Sequence, residues 1–174
     1  MADVTISSLP TGTPSGNGVI PFSLGGNTYQ APISGLFQNR PAFSAVVNQV
    51  RVRGPSVVPF GFARINDGNY NTTNFRYNIP YTGLYQINVF TNYIDATAGQ
   101  GSLIYVRKNG NTQAGAYIYA TSTGNNWLCL AGSEVLSLNQ GDYIDVYNSF
   151  NGYCDVSATP NGPWWSSFSG YFIG

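Results

Sequence analysis

Apolar and polar residues alternate one by one through much of this chain, and a period of two is the mark of a strand with one face toward a core. Phe75, Tyr77 and Ile79 alternate with Arg76 and Asn78 before Pro80. Tyr85, Ile87 and Val89 alternate with Gln86 and Asn88. Ile104 and Val106 lead into Lys108-Asn109-Gly110-Asn111, a strong hairpin-turn signal. Further strand-like runs follow at 117–119, 127–130, 134–138, 143–147 and 167–173. No segment has the 3.6-residue period of an amphipathic helix. About eight to ten short strands with Gly/Asn turns predict an all-β jelly-roll sandwich.

Residues 1–40 read differently. They hold four Pro and six Gly among many Ser, Thr and Asn. Pro10, Pro14, Pro21 and Pro32 break any long ladder. Gly25-Gly26-Asn27 predicts a turn between Pro21-Phe22-Ser23-Leu24 and Thr28-Tyr29-Gln30-Ala31. The expectation is an extended arm (1–40) ahead of a folded head (41–174). Ile6, Leu9, Ile20, Phe22, Leu24, Ile33, Leu36 and Phe37 give the arm more apolar surface than a solvated tail carries. They are the expected contacts with a partner. Fully extended, about 40 residues at roughly 3.3 Å each reach up to about 130 Å.

Charged residues make up only 8%, against roughly 25% in an average globular protein. Hydrophobic residues reach 43%, with 13 Tyr, 10 Phe and 3 Trp, so a core is available and disorder is disfavoured. A chain this short of charge is expected to hide surface in an assembly. With a single Lys and dispersed arginines, no nucleic acid is expected as partner. No window approaches the 18 or so consecutive apolar residues of a membrane helix, so no insertion is expected. Residues 1–9 lack a positive start and an apolar stretch, which leads to the expectation of synthesis in a cytoplasm without export by that route. Cys129 and Cys154 are then either two small buried hydrophobes or a disulfide formed later.

An enzyme is not expected. The chain has no His, which removes the commonest general base and metal ligand. Glu134 is the only Glu, and the Asp residues have no metal-loop spacing. Asp142 and Asp145 stand three apart, which turns them to opposite faces of a strand. No phosphate loop is present. Neither catalytic residues, nor cofactor, nor metal are expected.

Several of these segments resemble, in order, the globular head of the complement one-q family, a jelly-roll relative of tumour-necrosis factor. Pro41-Ala42-Phe43-Ser44-Ala45 is similar to its opening strand. The run from Phe75 to Phe90 resembles its central motif, an aromatic, a Pro/Gly turn, then Tyr and alternating apolars. Val106-Arg107-Lys108-Asn109-Gly110 resembles its hairpin. The run from Leu138 to Val146 resembles its Leu-x-x-Gly-Asp-x-Val segment, and the run from Phe168 to Ile173 its closing strand. The stretch from Cys154 to Trp165, with Pro160 and Pro163, departs from the pattern, so loop-borne ligand sites do not carry over. The resemblance implies a homotrimer. Strands apolar on both faces are compatible with that, and Tyr85, Ile87, Val89, Phe168 and Tyr171 are the expected interface.

The arm resembles the start of many tailed-phage structural proteins, through Ile6-Ser7-Ser8-Leu9-Pro10, Val19-Ile20-Pro21 and Gly25-Gly26-Asn27-Thr28. That resemblance implies a virion protein. A trimeric capsid decoration or cement protein, docked by its arm on the major capsid protein or another virion protein, is the first expectation. The alternative is a short fibre or receptor-binding protein whose head binds a host surface glycan. Tyr117, Tyr119, Trp164 and Trp165 are the candidate glycan contacts, since aromatic rings stack on apolar sugar faces.

Overall fold

The computed structural model describes residues 19–24, 27–32, 40–48, 51–96, 98–99, 101–112, 115, 117–121, 126–149, 153–155 and 166–174. The chain divides into two compact units, Met1–Arg40 and Pro41–Gly174. In the first, β1 (Val19–Leu24) and β2 (Asn27–Pro32) pair antiparallel, with Leu24 opposite Asn27. The expected turn at residues 25–27 is thus flanked by the strands the sequence suggested.

The second unit is two antiparallel sheets face to face. Its strands are β3 (Ala42–Val46), β4 (Arg51–Arg53), β5 (Ser56–Val57), β6 (Phe62–Asn66), β7 (Tyr70–Asn71), β8 (Arg76–Asn78) and β9 (Gly83–Ala96). They continue with β10 (Gly101–Lys108), β11 (Tyr117–Thr121), β12 (Asn126–Leu138), β13 (Tyr143–Asn148), β14 (Tyr153–Asp155) and β15 (Ser167–Phe172). No helix occurs among the described residues. One sheet runs β11-β10-β13-β8-β7, with β5 beside β13. The other runs β4-β14-β9-β15-β3-β6, with β12 along the second edge of β9. The chain passes repeatedly between sheets, and this is jelly-roll connectivity.

Strand alternation builds the core. On β9, Tyr85, Ile87, Val89, Thr91 and Tyr93 all turn inward and are buried. From β15 and β3 come Phe168, Phe43 and Ala45, and from the facing sheet Tyr77, Ile104, Val106, Ile144 and Val146. Phe43 stacks on Tyr77 at 4.2 Å between ring centroids and meets Phe168 edge-on at 4.7 Å, the offset and T-shaped geometries aromatic quadrupoles favour. At the Lys108–Asn111 hairpin, Asn109 (φ 52°) and Gly110 (φ 77°) both adopt the left-handed conformation that a two-residue turn requires.

The register also separates the cysteines. Cys129 on β12 lies opposite Asn92, and Cys154 on β14 lies opposite Tyr93, on the two sides of β9. Two strand spacings put their backbones about 10 Å apart, beyond the reach of a disulfide. The Cys129 thiol is free and exposed, 3.3 Å from Asn92 Oδ1.

Candidate functional site

The outward face of the larger sheet is where the fold leaves apolar side chains uncovered. Residues directly opposite each other on neighbouring strands share a face. On β9 the outward set is Leu84, Gln86, Asn88 and Phe90, and the inward set the core residues between them. Ser137, Val135, Ser133 and Ala131 of β12 stand opposite that outward set. Tyr171, Ser169 and Ser167 of β15 oppose Gln86, Asn88 and Phe90 on the other side. Leu84 and Val135 are each 45% exposed and Tyr171 49%, with Phe90 also open to solvent. Further across, a bulge at Arg64 lets both Phe62 and Ile65 of β6 face outward, opposite Val46 and Ser44. Both are exposed.

Between these apolar groups runs a polar row, Ser44, Ser169, Asn88 and Ser133, aligned across four strands. Gln86 Nε2 donates to Ser133 Oγ at 2.7 Å, and Ser133 Oγ donates to Asn88 Oδ1 at 2.8 Å. A depression of about 380 Å³ opens beside this row, lined by Asn88, Phe90, Ala131, Ser133 and Ser167. The face is therefore apolar at its margins and hydrogen-bonded at its centre. No three His, Cys, Asp or Glu side chains come together among the described residues. Such a surface suits binding by burial of side chains.

The outward face of the smaller sheet is built differently. Register aligns Tyr117, Tyr105, Tyr147 and Val57 in one row, and Tyr119 with Leu103 in the next. Arg107 stands opposite Asp145. Asp145 is fully buried and accepts from Arg107 Nε and Nη2 at 2.7 and 2.8 Å. Arg76 Nε lies 3.4 Å away on the other side, an ion-pair distance without a hydrogen bond. The Arg107 guanidinium sits 4.4 Å over the Tyr147 ring and that of Arg76 sits 4.1 Å over Tyr143. The hydrogen bonds that Arg107 donates to Asp145 raise the Arg107 pKa against the opposing effect of burial. Asp142, just before β13, pairs instead with Lys108 Nζ at 2.8 Å. The two aspartates thus serve separate ion pairs.

These positions correct one expectation. Tyr85, Ile87, Val89 and Phe168 were expected at an interface between subunits, but all four are buried inside the single chain. The reason is the pairing of β9 with β15: Phe168 lies opposite Val89, so their shared face is the one turned to the facing sheet. Only Tyr171 of that set is exposed. The sequence showed two apolar faces on β9 without showing which one the second sheet covers. Leu84 and Phe90 occupy the alternate positions of β9 and so belong to its other face, whereas Val135 and the Gln86-Ser133-Asn88 network needed the β9–β12 register. Tyr117 and Tyr119 are both exposed and lie on one face, as candidate ligand contacts must. Trp164 and Trp165 lie outside the described residues, as do Ile6, Leu9, Ile33, Leu36 and Phe37. Ile20, Phe22 and Leu24 fall in β1, with only their backbones described.

A model of the C1q domain matches residues 42–173. The chain belongs to the C1q family. Its solved neighbours agree on the fold. The globular domain of zebrafish complement 1qA is 14% identical, with a TM-score of 0.59, over 77% of this chain and 98% of that one. Eiger TNF from S. frugiperda is 14% identical, with a TM-score of 0.61, over 78% and 93%. Murine APRIL is 14% identical, with a TM-score of 0.60, over 78% and 100%. No curated protein matches the chain. At this identity the neighbours speak for the jelly roll alone. The C1q match leaves out residues 1–41, nearly all of them in the first compact unit, Met1–Arg40.

Proposed function

We propose that this C1q domain is a homotrimeric structural protein on the surface of a tailed-phage virion, a capsid decoration or cement protein that docks by residues 1–40. The observation that carries self-assembly is the uncovered outward face of the larger sheet, with Leu84, Phe90, Val135 and Tyr171 exposed around a satisfied polar centre. Neighbouring copies would bury these side chains, and a threefold arrangement is what the family resemblance implies. A polar network already bonded within each chain can be covered without leaving unpaired groups.

The virion assignment rests on the arm. Its phage-like segments, its many prolines and its scattered Ile, Leu and Phe suit an extended segment that finds backbone partners on another protein, such as the major capsid protein. Three arms on one trimer would multiply attachment, because each later contact is intramolecular. A second reading, a short fibre whose head takes a host glycan, is favoured by the side-by-side exposure of Tyr117 and Tyr119.

The test is to delete residues 1–37 and follow both oligomeric state and incorporation into particles. The proposal expects a soluble trimer that no longer joins particles. Normal occupancy of the truncated protein would place docking in the head and overturn it. Particles that lose the protein and become fragile support cement. Particles that stay sturdy but adsorb poorly to cells support the fibre reading instead.

A further inference from the structure

We infer that the outward face of the smaller sheet binds an acidic saccharide, with Tyr117, Tyr119 and Tyr105 as the stacking platform and the Arg107–Arg76 pair as the pole for its carboxylate. This rests on the glycan-binding reading and assigns it a site and a ligand class; it needs neither the arm nor the trimer.

The platform is shaped for a flat ligand. Tyr117 is 71% exposed and Tyr119 61%, more than any other large apolar side chain among the described residues. They line an open groove of about 500 Å³ with Leu103, Tyr105, Thr112 and Gly115. Among the described residues no charged side chain is part of that lining. Tyr119 lies down on the sheet because β10 has a glycine beneath it. A Cβ on Gly101 would come within 2.5 Å of Tyr119 Oη and 2.6 Å of Cε2. One ring face is thus seated on Gly101, leaving the other open. Thr121 Oγ1 donates to Tyr119 Oη at 3.2 Å and holds the ring by its edge. A Cβ on Gly115, another residue of the lining, would collide with the Val106 carbonyl, so Gly115 lies against β10 where no side chain fits. A ring seated as that of Tyr119 is, with its hydroxyl at the rim and the exposed Tyr117 on the same face, matches the apolar face and equatorial hydroxyls of a pyranose.

Charge selects among saccharides. Arg107 follows Tyr105 by two residues on β10, so both are on one face, about 7 Å apart along the strand. That is the scale of one pyranose ring with its exocyclic carboxylate. Around Asp145 stand two guanidiniums for one carboxylate, which leaves one positive charge at this end of the platform. Asp145 takes two of the five N–H donors of Arg107. The nearby Lys108–Asp142 pair is self-neutralising and does not cancel the excess. A neutral sugar would satisfy the rings and leave that charge unmatched; a uronate or sialate would meet both.

The full-length protein is titrated with a panel of uronate- and sialate-terminated oligosaccharides and with their methyl esters, following Tyr ring resonances and calorimetric affinity. At least one acidic member is expected to bind, its methyl ester at least fivefold more weakly, with affinity falling as salt rises. Tyr117→Ala and Tyr119→Ala, both exposed, should each weaken binding at least tenfold with the thermal transition unchanged. Gly101→Ala should do the same by tilting Tyr119, whereas Tyr117→Phe should retain most affinity. Equal affinity for acid and ester would overturn the acidic assignment while leaving a glycan-binding head intact. Binding to no member, or binding indifferent to Tyr117→Ala and Tyr119→Ala, would overturn the site itself. Loss of the wild-type oligomeric state in those two variants would show that a second copy covers this face, and would overturn it too.

Discussion

Asp145 shows how much of this molecule is settled by single residues. Its carboxylate is out of contact with solvent, yet it holds two guanidiniums that in turn lie over tyrosine rings. Removing one partner of a buried pair is costly because the other charge stays behind without compensation. Asp145→Asn should therefore lower unfolding stability by about 3 kcal/mol or more, read from the urea midpoint. A change below about 1 kcal/mol would mean that solvent reaches the site. Asp142 works at the surface. Partial burial alone would push its pKa up, but bonds from Lys108 Nζ, the Asn139 amide and Asn109 Nδ2 outweigh it and hold the pKa below its ordinary value. A carboxyl so depressed contributes stability that is complete above its unfolded pKa of about 4, and loses it as pH falls through the lower folded value. Acid should thus destabilise the wild type more than Asp142→Asn over that window, which urea melts at a series of pH values check. None of this was legible in the sequence. Arg107 and Asp145 are 38 positions apart and Lys108 and Asp142 are 34 apart, and only the β10–β13 register brings them together.

At the scale of elements, the reading from sequence was better, and its failures have a pattern. Alternation located β8, β9, β10, β11, β13 and β15, because each is half-buried and so carries period two, but the runs at 127–130 and 134–138 are one strand, β12, and the short strands β4, β5, β6, β7 and β14 were not anticipated. The hairpin at Asn109-Gly110 was legible for a chemical reason: few residues adopt two successive positive φ angles. What alternation could not give was sidedness. β9 is apolar on both faces, and the face chosen for assembly was the one the second sheet covers. Pairing with β15 decides it, and one residue of that strand makes the pairing close. A Cβ on Gly170 would sit 2.6 Å from Ile87 Cδ1 and 2.8 Å from Phe43 Cε1. Gly170→Val should cost about 1–3 kcal/mol by overpacking, measured by urea unfolding. Unchanged stability would show that the β9–β15 contact has slack the structure does not contain. Phe62 and Ile65 were missed for a related reason, since the bulge at Arg64 breaks the period of two that would have marked them.

At the scale of the whole molecule, composition changes near Arg40, from proline-broken sequence to regular alternation, and the chain divides into its two compact units at the same residue. The C1q family was legible because five short segments, each weak alone, occur in the family's order, and the match to residues 42–173 bears this out. The face proposed for association was not, for it depends on which apolar side chains remain after the core is filled. Leu84, Phe90, Val135 and Tyr171 remain, and their collective exposure is the ground for proposing that three copies come together on the larger sheet. Sedimentation equilibrium of the full-length protein at micromolar concentration, beside its Phe90→Asp variant, addresses this directly. The account predicts the mass of three 18.7 kDa chains for the wild type, and a folded species of lower mass for Phe90→Asp, whose new carboxylate would be buried unpaired in the assembly but solvated in the single chain. A wild type that sediments as one 18.7 kDa chain would contradict it.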